Sequence, residues 1–157
     1  MLALMARECW ATFRAMTDTR TPVLLFDGEC GLCLAVVRFL IRRDPEGRIR
    51  FGALQGPSAQ RYLASQGLPT ASFDTLVFVP DWNDPRPGAY LLRTSGALAC
   101  FAELQGGWHA VSWLRVIPAL LRDPVYRLIA RTRRSLFGNT RPNPLPDPAW
   151  TRRQLDP

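Results

Sequence analysis

Apolar and polar residues alternate along this 157-residue chain in blocks that predict strands and helices in turn. Short apolar runs at residues 22–26 (PVLLF) and 75–79 (TLVFV) are typical of strands buried on both faces. Residues 48–53 and 89–93 are predicted as further strands, and the last two strands as a hairpin. Helical spacing of apolar residues predicts five helices: from Gly31 to before Pro45, and over 59–66, 97–104, 108–121 and 124–137.

The order of these elements predicts an α/β fold. Alternating strands and helices, followed by a hairpin and a helix, favour a central mixed β-sheet with helices on both faces and extra helices at its C-terminal end. This is a thioredoxin-like arrangement, and we predict it for residues 21–138. Residues 1–20 are predicted as an amphipathic helical extension. Residues 139–157, which contain five prolines, are predicted as an extended tail.

Two helix starts are predicted from capping residues. Thr94 or Ser95 is expected to cap the helix over residues 97–104. Asp123 is expected to cap the last helix, with Pro124 at its first position, where the missing N–H of proline costs no hydrogen bond.

Composition narrows the class of protein. Hydrophobic residues make up 47% and charged residues 21%, which is ordinary for a folded chain and excludes general disorder. No apolar run approaches the roughly 20 residues that cross a bilayer. The N-terminal segment is a poor secretory signal, because Arg7 and Glu8 interrupt it. We therefore expect a cytoplasmic protein.

The chain is strongly basic, with 20 Arg and Lys residues against 13 acidic ones and a net charge of +7. A solvated basic face is the simplest explanation. The alternative is binding to nucleic acid or an anionic membrane through the Arg-rich C-terminal helix. No recognition motif interleaves aromatic and basic residues, so no specific nucleic-acid partner is predicted. At most a weak contact with an anionic surface is expected, through Arg127, Arg131, Arg133, Arg134 and Arg141.

Cys30 and Cys33 form a C-x-x-C motif between the first predicted strand and helix, which is the signature of a redox pair. A helix N-terminus favours an anion and lowers the pKa of a cysteine placed there. Cys30 is therefore the predicted nucleophile that attacks a partner disulfide. Cys33, almost one turn further along, is predicted to resolve the mixed disulfide and to be less exposed than Cys30.

The residues around the pair supply candidate contacts. Asp27 ends the strand and is a candidate proton carrier for Cys33, or else a turn carboxylate. The acidic Glu29 would oppose a thiolate at Cys30, or else is a solvated loop residue. Candidate partner-binding residues are those that flank the motif and one before a later strand: Gly28, Glu29, Gly31, Leu32 and Thr75.

Other uses of the cysteines remain open. The C-x-x-C pair could be half of a zinc site. The other ligands would have to come from Cys9, Cys100 or His109, which lie in unrelated segments, so no metal and no cofactor is expected. A purely structural disulfide is the other alternative. Cys9 and Cys100 fall on apolar helical faces and are predicted to be buried thiols. His109 is predicted to be structural or on the surface.

The motif D-G-x-C-x-x-C, formed by Asp27, Gly28, Cys30 and Cys33, resembles that of the DCC family of thiol-disulfide oxidoreductases. The resemblance covers about residues 21–145. It includes the segments 39–44 (FLIRRD), 50–55 (RFGALQ), 74–79 (DTLVFV), 93–97 (RTSGA), 113–117, 122–126 (RDPVY) and 137–138. It implies a thioredoxin-like fold and a redox role for the two cysteines.

The motif departs from that of ordinary thioredoxins. No Trp precedes Cys30, no Pro separates the two cysteines, and Thr75 stands where a thioredoxin has a proline that holds the partner chain. The predicted function is thiol-disulfide exchange with a protein or a low-molecular-weight thiol or disulfide. The alternatives are a redox sensor without turnover and a binding module with a basic surface.

Overall fold

A computed structural model of the chain describes residues 20–71, 75–104, 106–138 and 148–156. The predicted N-terminal helix, with Cys9, lies outside these ranges. Within them, no helix is both long enough and apolar enough to cross a membrane.

Four strands form one mixed sheet in the order β2-β1-β3-β4. The central strand β1 pairs parallel with β2 and antiparallel with β3, and β3 pairs antiparallel with β4. The strands are β1 (Val23–Phe26), β2 (Arg50–Ala53), β3 (Val77–Val79) and β4 (Leu91–Leu92). The predicted mixed sheet of a thioredoxin-like α/β fold is therefore confirmed.

Helices flank this sheet and extend beyond it at the C-terminal side. The α-helices are α1 (Gly31–Arg43), α2 (Pro57–Ser65), α3 (Arg93–Glu103), α4 (Ala119–Phe137) and α5 (Pro148–Thr151), and a 3-10 helix covers Gly106–Val116. Because β1 and β2 are parallel, the chain returns through α1, and the ends of both strands meet at one edge. The start of β3 and the end of β4 lie at that same edge.

Three predicted boundaries on the C-terminal side are wrong. The predicted strand over residues 89–93 shortens to β4, and α3 begins at Arg93 without a side-chain cap, so Thr94 and Ser95 lie inside the helix. The helix predicted over residues 108–121 is replaced by the 3-10 helix and the start of α4. Pro124 lies inside α4, because Pro118 already supplies a carbonyl that accepts from the N–H of Leu121.

The hydrophobic core has two halves, one on each face of the sheet. Leu24 and Phe26 of β1 face one half, and Val23 and Leu25 face the other. All four are at most 3% exposed, which explains why β1 lacks the alternating pattern of a half-exposed strand.

The described part of the predicted extended tail packs back onto the domain. Trp150 in the one-turn helix α5 is buried, with its ring centroid 5.8 Å from that of Phe26 and 6.0 Å from that of Phe51. The Leu155 N–H donates to the Phe51 carbonyl at 2.9 Å. Arg153 pairs with the buried Asp44 at 3.2 Å. Residues 148–156 thus pack against the core next to β2 and do not form an extended tail.

Replacing Trp150 with Ala should lower the free energy of unfolding by about 3–5 kcal/mol, because it leaves a cavity against two buried aromatic rings. Trp113→Ala is the matched control, since that side chain is 77% exposed and should change stability by less than about 0.5 kcal/mol. Urea unfolding followed by circular dichroism measures both. Equal losses for the two variants would contradict the packing of the C-terminal segment.

Candidate active site

The turn between β1 and α1 brings Asp27 and the two cysteines together. The Cys30 N–H donates to the Asp27 carbonyl at 3.2 Å, and the Glu29 N–H donates to the Asp27 carboxylate at 3.1 Å. Such side-chain bonds two residues along the chain are typical of aspartate turns. Cys30 is the N-cap residue of α1, and its sulfur accepts from the Cys33 N–H at 3.5 Å. The predicted placement of the pair in the first turn of the helix is therefore confirmed.

The relative exposure of the two cysteines is the reverse of the prediction. Cys30 is fully buried, whereas Cys33 is half-buried, and both are free thiols. The C-terminal end of α4 accounts for part of this. An atom added at the Cβ position of Gly31, directly after Cys30, would lie 2.6 Å from the Phe137 carbonyl oxygen. Gly31 therefore permits a close approach within the chain itself, where the sequence predicted an approach by a partner.

Arg133 of α4 is the principal site residue that sequence reasoning missed. Its guanidinium donates to the Cys33 sulfur at 3.2 Å and to the Asp27 carboxylate at 3.3 Å. Arg133 is 5% exposed, so it was wrongly assigned to a basic surface. It is separated from Cys33 by 100 residues, and no local pattern distinguishes it from the neighbouring arginines.

Gln55 is the second missed residue, and it holds Asp27 from the other side. Its side-chain amide donates to the Asp27 carboxylate at 2.9 Å, and its amide oxygen accepts from the Gly28 N–H at 3.1 Å. Asp27 is 1% exposed, so its carboxylate depends on these donors and on Arg133 for the hydrogen bonds that water would otherwise provide. Asp27 thus reaches Cys33 through the Arg133 guanidinium.

Burial dominates the acidity of Cys33. It raises the pKa of Cys33 to about 12, with the hydrogen bond from Cys30 and the Asp27 charge acting in the same direction. Arg133 acts in the opposite direction and lowers this pKa. Cys33 is therefore a protonated thiol at neutral pH, and Arg133 is the group that favours its thiolate. Complete burial also raises the pKa of Cys100, as expected for an inert core thiol.

The remaining predicted partner-binding residues differ in exposure. Gly28 is buried, Glu29 is exposed and Leu32 is half-buried. The Thr75 hydroxyl accepts from the Arg93 N–H at 3.0 Å and donates to the Leu76 carbonyl at 3.1 Å. Thr75 therefore lies at the edge of the sheet where β4 passes into α3. Its hydroxyl is already engaged within the protein.

A metal site, the alternative use of the cysteines, requires several ligand side chains close together. Across the described ranges, no group of three or more His, Cys, Asp or Glu residues is arranged to hold a metal ion. His109 lies in the 3-10 helix, and Cys9 lies outside the described residues.

A dithiol at the start of the helix after the central strand of a thioredoxin-like sheet defines the class of thiol-disulfide exchange proteins. Comparison with known families agrees. The sequence model of the DCC1-like thiol-disulfide oxidoreductases matches residues 24–139, and the chain belongs to this family.

Two relatives extend this result. The chain is 39% identical over 142 residues to the "Uncharacterized protein YuxK" of Bacillus subtilis (strain 168), covering 89% of this chain and 99% of the relative. It is 27% identical over 124 residues to a chloroplastic DCC family protein of Arabidopsis thaliana, covering 78% of this chain and 69% of the relative. No solved structure matches the chain.

Replacing Arg133 with Met should lower the free energy of unfolding by about 3–5 kcal/mol, because it leaves the buried Asp27 carboxylate without its cation. The double variant Arg133→Met with Asp27→Asn should recover part of this loss, since no charge then remains unpaired. Arg131→Met, on the exposed side of the same helix, is the control. Denaturant unfolding measures all three, and equal effects of the two arginine substitutions would contradict the buried pair.

Cys33 should react slowly with iodoacetamide at pH 8, because a raised pKa reduces the fraction of thiolate at that pH. In a Cys30→Ser variant we expect a rate lower by about tenfold or more than that of an unfolded cysteine peptide. The rate should still be rising above pH 10. Alkylation followed by mass spectrometry identifies the modified residue. A plateau near pH 9 would show that burial does not control Cys33.

Proposed function

We propose that this protein is a thiol-disulfide oxidoreductase in which Cys30 and Cys33 alternate between dithiol and disulfide. Its partner is the disulfide of a protein or of a small thiol. The observation that supports the proposal best is the arrangement of the two sulfurs. Cys30 accepts a backbone N–H at the start of α1, and Cys33 lies against a buried guanidinium.

Cys30 is the proposed nucleophile. The N–H groups of the first helical turn have no partners within the helix, and they favour negative charge on a sulfur at the N-cap. The Cys30 thiolate attacks one sulfur of the partner disulfide, a mixed disulfide forms, and the other partner sulfur leaves as a thiolate. Because Cys30 is buried, this step requires the end of α4 to move away from Gly31.

Cys33 is the proposed resolving residue. Its raised pKa keeps it protonated while Cys30 attacks the partner, which prevents two thiolates from lying side by side. In the second step Cys33 loses its proton, for which the neighbouring Asp27 carboxylate is the proposed acceptor. The Arg133 guanidinium, which contacts both groups, stabilises the thiolate. Cys33 then attacks the Cys30 sulfur, the Cys30–Cys33 disulfide forms, and the partner leaves reduced. Arg133 is a positioning residue in this scheme, because it also holds Asp27.

The proposed direction is reduction of the partner. The sequence leads us to expect a cytoplasmic protein, and the cytosol keeps thiols reduced, so an external dithiol reductant would regenerate the Cys30–Cys33 dithiol. This direction depends on the reduction potential of the pair.

A Cys33→Ser variant should accumulate a mixed disulfide at Cys30, because the residue that releases the partner is missing. The probe is 2-hydroxyethyl disulfide, which has no net charge, and intact-protein and peptide mass spectrometry locate the adduct. Cys30→Ser is the matched control and should form an adduct more slowly by at least about tenfold.

Two outcomes would contradict this proposal. If Cys33 in the Cys30→Ser variant reacts as fast as Cys30 in the Cys33→Ser variant, the assigned roles are wrong. If neither cysteine reacts faster than an unfolded cysteine peptide and the wild-type pair does not cycle, the chain is not an oxidoreductase.

A further inference from the structure

A cleft of about 370 Å³ opens at the edge of the sheet where the dithiol lies. Its floor is apolar and includes Leu54 after β2, Val77 of β3 and Leu92 of β4. Clefts of ~300–1,000 Å³ with an apolar floor and a few polar groups are typical of small-molecule sites. Nothing in the proposed exchange between Cys30 and Cys33 itself uses this cleft.

The cleft adjoins the dithiol through two separate elements. Leu54 directly precedes Gln55, whose side chain holds Asp27. Arg131 belongs to α4, the helix that also carries Arg133 and its contact with the Cys33 sulfur, although the two arginines lie on different sides of that helix. A small molecule in the cleft would therefore lie at the same end of the sheet as the two cysteines and against the same helix, α4.

The rim of the cleft is cationic. Three arginines line it, namely Arg93, Arg127 and Arg131, and no acidic residue belongs to its described lining. Arg93 forms an ion pair with Asp123 at 3.8 Å. Neither Arg127 nor Arg131 forms an ion pair with any described residue. Two exposed cations without an ion-pair partner in the described part of the chain attract anions into the cleft.

The backbone at the rim is also unusual. Arg93 has a positive φ of 51°, a conformation that a non-glycine residue adopts at a cost. The Thr75 hydroxyl accepts the Arg93 N–H and so stabilises this conformation. Strained residues of this kind concentrate at binding and catalytic sites. Arg93 in this conformation lines the same cleft as Arg127 and Arg131.

We propose that this cleft binds a carboxylate-bearing low-molecular-weight thiol and its disulfide as the redox partner. The proposal rests on the proposed function and names its substrate class. The carboxylates contact Arg127, Arg131 and Arg93, and the aliphatic part of the ligand covers Leu54 and Val77. Arginine suits this role because its planar guanidinium forms paired hydrogen bonds to a carboxylate.

The exchange with such a disulfide, RSSR, has two steps. The Cys30 thiolate attacks one sulfur, the S–S bond of RSSR breaks, and one RS⁻ leaves. Cys33 transfers its proton to Asp27 and attacks Cys30, so that the Cys30–Cys33 disulfide forms and the second RS⁻ leaves. Two electrons pass from the protein to RSSR. A dithiol reductant then returns the protein to its reduced state.

The test compares three disulfides that differ chiefly in charge: 3,3′-dithiodipropionate, 2-hydroxyethyl disulfide and cystamine. Their rates of reduction by the reduced wild-type protein are measured by stopped flow and normalised to their rates with free dithiothreitol. We expect the normalised rates to fall from the anionic to the neutral to the cationic compound. Added salt should reduce the difference, because it screens exposed charges.

The decisive variant is Arg127→Gln with Arg131→Gln. It should lower the ratio of the rate with the anionic disulfide to the rate with the neutral disulfide by about three- to tenfold, the range expected for two exposed ion pairs. The matched control is Arg42→Gln with Arg115→Gln. Both of these residues are exposed and lie outside the cleft lining, and the control removes the same net charge.

Each outcome supports or overturns one statement. Equal normalised rates for the three compounds, or equal losses in the two double variants, would overturn the cleft proposal and leave the oxidoreductase intact. Failure of the wild-type protein to reduce any of the three would overturn the proposed function itself. If only the cleft variant stops sedimenting with phosphatidylserine vesicles while thiol selectivity is kept, the arginines bind a membrane surface and the cleft proposal is wrong.

Discussion

The Arg133 guanidinium, buried between the Asp27 carboxylate and the Cys33 sulfur, is the interaction on which the rest of the site depends. A carboxylate that is 1% exposed requires a cation and hydrogen-bond donors, and these come from α4 and from Gln55. This requirement fixes α4 against the end of β1 and the start of α1. The close approach of Phe137 to Gly31, directly after Cys30, follows from the same placement.

That placement gives α4 three roles at one edge of the sheet. Arg133 on its inner side lowers the pKa of Cys33, which burial raises, and the Phe137 carbonyl lies against Gly31 next to Cys30. Arg127 and Arg131 on another side line the cleft. A shift of α4 would therefore change access to Cys30, the pKa of Cys33 and the charge at the cleft together. The three properties are coupled because one helix supplies all of them.

The strand β1, the C-x-x-C motif and the start of α1 were predicted correctly because each depends on neighbouring residues. An apolar run predicts a buried strand, and two cysteines three apart necessarily meet in the first turn of a helix. The sheet was also predicted, since the order of elements leaves few topologies. The predicted start of α4 was wrong, because both Pro118 and Pro124 satisfy the local rule for a helix start. The sequence did not predict the packing of Trp150, because this packing depends on contacts with a distant strand.

The sequence by itself determined the fold class, the family and the two sulfurs, since these follow from local patterns and from a motif within seven residues. Only the tertiary structure selected Arg133 from among 20 chemically equivalent arginines, because its role comes from a contact across 100 residues. The tertiary structure likewise decided which cysteine is buried. Exposure depends on what packs around a residue, and here the end of α4, about a hundred positions further along the chain, lies against Gly31 next to Cys30.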